Sequence, residues 1–152
     1  GMNTMLGYYK NEEATRAVLD ADGWYHTGDL GTMSADGHVF IRGRIKNMLL
    51  GSNGQNVYPE EIEDKLNSMA YVNESLIVQK GDKLIGLVHP DYDEAKAMDF
   101  NDDDLMSIME QNRLKLNEQL PPFCKISELR LHEDEFVKTP KKSIKRYLYK
   151  DV

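Results

Sequence analysis

The spacing of apolar residues changes repeatedly along the chain, and each change marks an expected element. Residues 12–19 read as a short helix whose acidic first turn suits the positive end of the helix dipole, and Asp22-Gly23 ends it. Over residues 27–43 the pattern becomes strand, turn, strand: residues 30–33, the turn chemistry of Ser34-Ala35-Asp36-Gly37, then Val39-Phe40-Ile41. A second, smaller hairpin is expected over 45–58, with Met48-Leu49-Leu50 leading into a turn from Gly51 to Gly54 and Val57-Tyr58 leading out. Pro59 predicts a helix start where its missing N–H costs nothing. Glu60 and Glu61 suit that first turn, and Ile62, Leu66 and Met69 share one face.

Residues 74–79 and 83–89 read as two strands paired antiparallel through Gly81-Asp82, with Pro90 as their stop. Asp102-Asp103-Asp104 opens an amphipathic helix that places Leu105, Ile108, Met109, Leu116 and Leu120 near one stripe before Pro121-Pro122 ends it. Residues 126–132 predict a final strand, and 143–149 a terminal helix carrying Ile144, Tyr147 and Leu148. The mixture predicts an α+β fold: a compact unit over 44–152, preceded by residues 1–43 as the end of something larger.

Composition narrows the chemistry. A chain of 152 residues suffices for one domain with its own core, or one domain plus an appendage. Nineteen basic against 26 acidic residues give a net charge of −7, which disfavours general affinity for nucleic acid or an anionic membrane and favours a small-molecule or protein partner. Cys124 has no partner for an internal disulfide and suits a reducing, cytoplasmic setting. No apolar run approaches the roughly 18 residues that span a bilayer, and the first residues lack the regions of a signal peptide. His26, His38, His89 and His132 are scattered, so no metal site is expected. Gly51-Ser52-Asn53-Gly54 lacks the Gly-Lys-Ser/Thr ending of a P-loop, and no Gly-x-Ser-x-Gly elbow is present.

Asp29 follows Gly28, and Arg44 comes fifteen residues later. A carboxylate can accept hydrogen bonds from both vicinal hydroxyls of a ribose, while an arginine fork approaches the same sugar or its phosphate. Alone, Thr27-Gly28-Asp29 is also a common turn. Lys138, Lys141, Lys142, Lys145, Arg146 and Lys150 form a basic block in an acidic chain, a pattern that serves as a solvated face or meets an anion.

In order, YHTGDLG (residues 25–31), DGHVFIRGRIKN (36–47), NGQNVYPEEIE (53–63) and KTPKKSIKRYLYK (138–150) resemble the adenylate-forming enzymes. Among them the likeness is to AMP-forming acyl-CoA synthetases, and most to long-chain fatty-acid CoA ligases. The resemblance implies that residues 1–43 close a large N-terminal core domain and that 44–152 form a small mobile lid, with a short hairpin and a mainly antiparallel sheet packed by helices. It implies ATP, Mg²⁺, coenzyme A and a fatty acid as ligands, with the Mg²⁺ and acyl sites in an N-terminal domain outside this chain. Such an enzyme would be cytoplasmic, or peripheral to a membrane.

Residue by residue, the resemblance implies that Asp29 binds the ATP ribose with help from Arg44, and that Ile41 packs against adenine, a role compatible with strand core. Lys46 takes the hinge position, where a charged side chain stays solvated in both lid orientations. Asn53, Gly54, Gln55 and Asn56 would face the CoA tunnel. The terminal motif supplies a lysine to the reacting carboxylate and α-phosphate during adenylation. Counting back from Ile144, that position holds Ser143, which cannot supply the charge. Lys142, or failing that Lys141, is the expected substitute. The alternatives are a relative that activates aryl or amino acids for CoA or a carrier protein, and a catalytically impaired interaction module of the same fold.

Overall fold

Asn11 accepts the Ala14 N–H at 2.9 Å to start α1 (Glu12–Arg16). This is the first element of the computed structural model, which describes residues 1–51 and 53–150. The helix is shorter than the expected 12–19, because the Val18 carbonyl accepts the His26 N–H at 2.7 Å and Leu19 bridges Tyr25. The first hairpin follows, β1 (Asp29–Met33) antiparallel to β2 (Val39–Arg44). The chain divides into two compact units, Gly1–Lys46 and Asn47–Val152, and these elements belong to the first.

In the second unit β3 (Leu49–Leu50) and β4 (Asn56–Val57) form the small hairpin. It leads into α2 (Pro59–Asn67) with proline in its first turn. β5 (Val72–Lys80) and β6 (Lys83–Pro90) pair antiparallel. The chain then passes through α3 (Tyr92–Ala97) and α4 (Asp102–Glu118) to β7 (Ile126–Leu131), which lies parallel to β6, giving the order β5-β6-β7. A parallel neighbour needs such a long crossover, and two helices supply it. α4 begins in a capping box, with the Asn101 side chain accepting from Asp103 and Asp104 and the Asp104 carboxylate accepting the Asn101 N–H.

Side chains alternate across the strands, and both faces of the sheet are covered. Ile77, Leu84, Val88 and Leu129 meet Ile62 and Leu66 of α2 and Met109 and Leu116 of α4. Gly86 lies on this face, where an added Cβ would stand 2.5 Å from a Leu129 methyl, so any side chain there would have to displace Leu129. Leu76, Val78, Ile85 and Leu87 of the opposite face pack with Phe136 and Tyr149 of the C-terminal segment. Those two rings meet edge-on at 5.2 Å, and the Tyr149 hydroxyl accepts the Val137 N–H at 2.8 Å. Burial of each ring contributes about 1.5–3 kcal/mol, so the segment is held down as core.

Two expectations need correction. Residues 143–149 are not an α-helix: Lys138 bridges Ile144, and only Arg146–Tyr149 winds into a 3-10 turn. Tyr147 and Leu148 are 65% and 50% exposed, and the residue that goes inward is Tyr149. Pro140 and the left-handed backbone of Lys142 (φ 61°) favour a hairpin tip over a helix start, and the aromatic core selects Tyr149. The second correction is α3, which was not expected. It is polar and short, buries only Ala95, and is signalled by Asp91 accepting from Glu94 N–H at 3.0 Å.

Candidate functional site

Gly28 has φ 75°, a conformation glycine adopts without strain, and this turn delivers Asp29 as the first residue of β1 opposite Arg44 at the end of β2. Arg44 Nε stands 3.0 Å from Asp29 Oδ1, and Arg44 Nη1 donates to the Thr27 carbonyl at 2.9 Å. The Ile45 N–H donates to the Gly28 carbonyl at 3.0 Å, closing the end of the hairpin. Asp29 is thereby held with one oxygen engaged, while Oδ2 has no partner among the described residues. The two side chains are 33% and 53% exposed, so the pair contributes at most about 1 kcal/mol to stability and is open to a ligand.

Tyr25, the first residue of the YHTGDLG motif, carried no role of its own in the sequence, yet its hydroxyl feels both charges of this pair. Its hydroxyl is held above the ordinary phenol range chiefly by a hydrogen bond with Tyr8. The Arg44 charge opposes that shift and the Asp29 charge adds to it. Ile41 lies one step away in β2, opposite Gly31, and is 66% exposed, so within this unit it is not strand core. Lys46 is exposed in a 3-10 turn, Ile45–Asn47.

The remaining predicted residues belong to the second unit. Asn53, Gly54, Gln55 and Asn56 are exposed where β3 turns into β4. The Gly51 N–H donates to the Gln55 carbonyl at 2.8 Å and the Gln55 N–H to Asn53 Oδ1 at 3.3 Å, so the Asn53 side chain helps to fix the turn. Lys141 and Lys142 sit at the tip of the last hairpin. There the Thr139 N–H donates to the Ser143 carbonyl at 2.8 Å and the Lys142 N–H to the Thr139 carbonyl at 2.9 Å. Neither ammonium has an ion-pair partner among the described residues, and Ser143 is exposed beside them.

Beneath this tip lies a network that carried no assigned role in the sequence. Glu63 of α2 is buried, accepts the Ile77 N–H at 2.7 Å through Oε1 and pairs through Oε2 with Arg146. Burial pushes the Glu63 carboxyl above its usual range, against the pull of the Arg146 charge. Arg146 also stands 3.9 Å from Glu60, whose Oε1 accepts Asn47 Nδ2 at 2.6 Å. Lys138, pairing with Glu74, anchors the start of the hairpin, and that carboxylate raises the lysine pKa. The signal in the sequence was only the spacing of Glu60 and Glu63, one helical turn apart on a helix with an apolar face.

Residues 46–151 match the AMP-binding enzyme C-terminal domain family. The chain belongs to that family. Among curated relatives, the 3-[(3aS,4S,7aS)-7a-methyl-1,5-dioxo-octahydro-1H-inden-4-yl]propanoyl:CoA ligase of Rhodococcus jostii (strain RHA1) is 40% identical over 112 residues, covering 73% of this chain and 22% of the relative. Of solved structures, the adenylation domain of the carboxylate reductase from Mycobacterium chelonae superposes with a TM-score of 0.83 at 21% identity, covering 96% of this chain and 24% of that one. ATP-bound MatB from Rhodopseudomonas palustris gives a TM-score of 0.68 at 26% identity, over 99% of this chain and 28% of that one. This chain therefore spans about a quarter of the length of the relatives it matches. It is similar to a part of these longer enzymes, and its small α+β unit has the fold of the family's C-terminal domain.

Proposed function

We propose that this chain is the ribose-binding end and the lid of an ATP-dependent acid–thiol ligase. The whole enzyme activates a carboxylic acid, of long-chain fatty type, as an acyl adenylate with release of pyrophosphate, then transfers the acyl group to CoA with release of AMP. The observation that carries the reading is the Asp29–Arg44 pair: a carboxylate steadied through Oδ1 at 3.0 Å, with Oδ2 left to accept ribose hydroxyls. Ile41, exposed beside it, offers an apolar surface for adenine. Residues 1–43 close the core domain and 44–152 form the lid, which swings at Lys46 between the two half-reactions. In the first orientation Lys142 or Lys141 brings positive charge to the carboxylate and α-phosphate. In the second the turn of Asn53, Gly54, Gln55 and Asn56 lines the path of CoA.

The Mg²⁺ that accompanies ATP is assigned, with the acyl pocket, to an N-terminal domain outside this chain, on the family resemblance. Among the described residues no helix is long and apolar enough to cross a membrane. A second reading is favoured by one observation, the exposed Ser143 in the lysine position: the protein keeps the fold as a catalytically impaired interaction module. Pyrophosphate release with fatty acid, ATP and Mg²⁺ separates the two. The full-length enzyme should release pyrophosphate in a fatty-acid-dependent manner and this chain alone should stay at background, since it carries half an ATP site. Turnover by the isolated chain contradicts the division of labour between this chain and the rest of the enzyme, and no turnover by the full-length protein with any of a panel of fatty, aryl and amino acids contradicts the ligase reading.

A further inference from the structure

β5 is an edge strand of its sheet, and a bare edge presents main-chain groups that need partners. Ile77 finds both in side chains. Its N–H donates to Glu63 Oε1 at 2.7 Å and its carbonyl accepts from Arg146 Nη1 at 3.5 Å, while Arg146 Nη2 pairs with Glu63 Oε2. The same guanidinium lies 3.9 Å from Glu60, which holds Asn47 at 2.6 Å. Asn47 directly follows Lys46, and Arg146 lies three residues beyond Ser143. The Lys145 N–H donates to the Val137 carbonyl at 2.8 Å, so Arg146 is fixed to the base of the hairpin whose tip carries Lys141 and Lys142.

We propose that Arg146 and Glu63 are positioning residues for adenylation: their ion pair, seated on the Ile77 edge and extended through Glu60 to Asn47, fixes the lysine-bearing turn against the hinge side of the lid. The inference rests on the reading that Lys141 or Lys142 supplies charge in that step. The Arg146 and Glu63 side chains are only 20% and 10% exposed, and a guanidinium fork on a carboxylate holds a fixed geometry that a lysine does not. Lys142 has to hold a left-handed backbone at the tip, so the turn needs an anchored base to keep one shape.

The test is single-turnover kinetics in the full-length enzyme, with pyrophosphate release reporting adenylation and CoA-thioester formation followed from pre-made acyl adenylate. Arg146→Lys keeps the charge and loses the fork; Glu63→Gln keeps the shape and loses the charge. Each should slow adenylation at saturating ATP by about tenfold or more, as misplacement of a reacting group does. The KM for ATP and the rate from acyl adenylate should each stay within about twofold, because binding of ATP and the thioester step do not use this turn. A purely structural ion pair would instead depress both half-reactions together, in step with the melting temperature. That pattern, or an unmodified adenylation rate in Arg146→Lys, overturns the proposal. Should either variant fail to fold, Glu60→Gln on the partly exposed side of the network decides: slowed adenylation with intact thioester formation supports the clamp, and no loss of adenylation overturns it. The Lys141→Ala/Lys142→Ala double variant identifies which reading has failed. If it adenylates at the unmodified rate, the lysine assignment falls and takes this inference with it; if it is slow while Arg146→Lys and Glu63→Gln are not, only the clamp is wrong.

Discussion

Asp29 and Arg44 approach to 3.0 Å while staying a third to half exposed, a geometry that adds little to stability and leaves a carboxylate oxygen open. Replacing Asp29 by alanine in the full-length enzyme should therefore change ATP use and not folding. Two ribose hydroxyls lose a charged acceptor, a change of about 2–3 kcal/mol. That corresponds to a rise of roughly 30- to 150-fold in the KM for ATP, with the KM for CoA unaltered. An unchanged ATP KM and adenylation rate would make Asp29 a turn residue only. The pair was legible because its two members belong to motifs with a fixed order. Tyr25, the first residue of the same motif, drew no role because its hydrogen bond with Tyr8 joins residues seventeen apart that no local pattern pairs.

The strands and long helices of the second unit follow from apolar patterning: α2 and α4 bury the stripe their spacing defines, while β5 and β6 are apolar runs covered on both faces. The C-terminal segment defeats the same reasoning. Ile144, Tyr147 and Leu148 have helical spacing, but Tyr149 is the side chain that the sheet buries, and the turn at Pro140 sets the direction. The parallel placement of β7 is likewise a matter of topology that no local pattern records. What joins these elements is the pair of buried Glu63 with half-buried Arg146, and it has a consequence for pH. Burial raises the Glu63 pKa above its unfolded value, despite Arg146, so the folded state holds this proton more tightly. The contribution is fully present below the ordinary glutamate pKa and is lost as pH rises through the raised folded value. Urea denaturation of the unmodified protein and Glu63→Gln across acid to neutral pH should show the stability difference shifting against the unmodified protein as pH rises. A difference that moves in its favour would mean that the Arg146 charge outweighs burial.

At the scale of the whole molecule, the chain is two compact units meeting at Lys46 and Asn47, and the candidate residues are divided between them. Asp29, Ile41 and Arg44 belong to the first, and the turn of Asn53, Gly54, Gln55 and Asn56 and the lysine tip to the second. Such a division suits an enzyme in which one half-site stays with the nucleotide while the lid exchanges one working surface for another. The departure at Ser143 is where that reading is most exposed, because a positive charge at the α-phosphate must then come from a neighbour in a turn that is not glycine-rich. The most direct measurement is the single-turnover rate of pyrophosphate release by the full-length enzyme carrying Lys141→Ala and Lys142→Ala, beside thioester formation from pre-made acyl adenylate. Loss of a charge-stabilising donor should slow the first by roughly 10²-fold or more and leave the second intact. Equal rates of pyrophosphate release in the unmodified and doubly substituted enzymes would contradict the lysine's role in the lid.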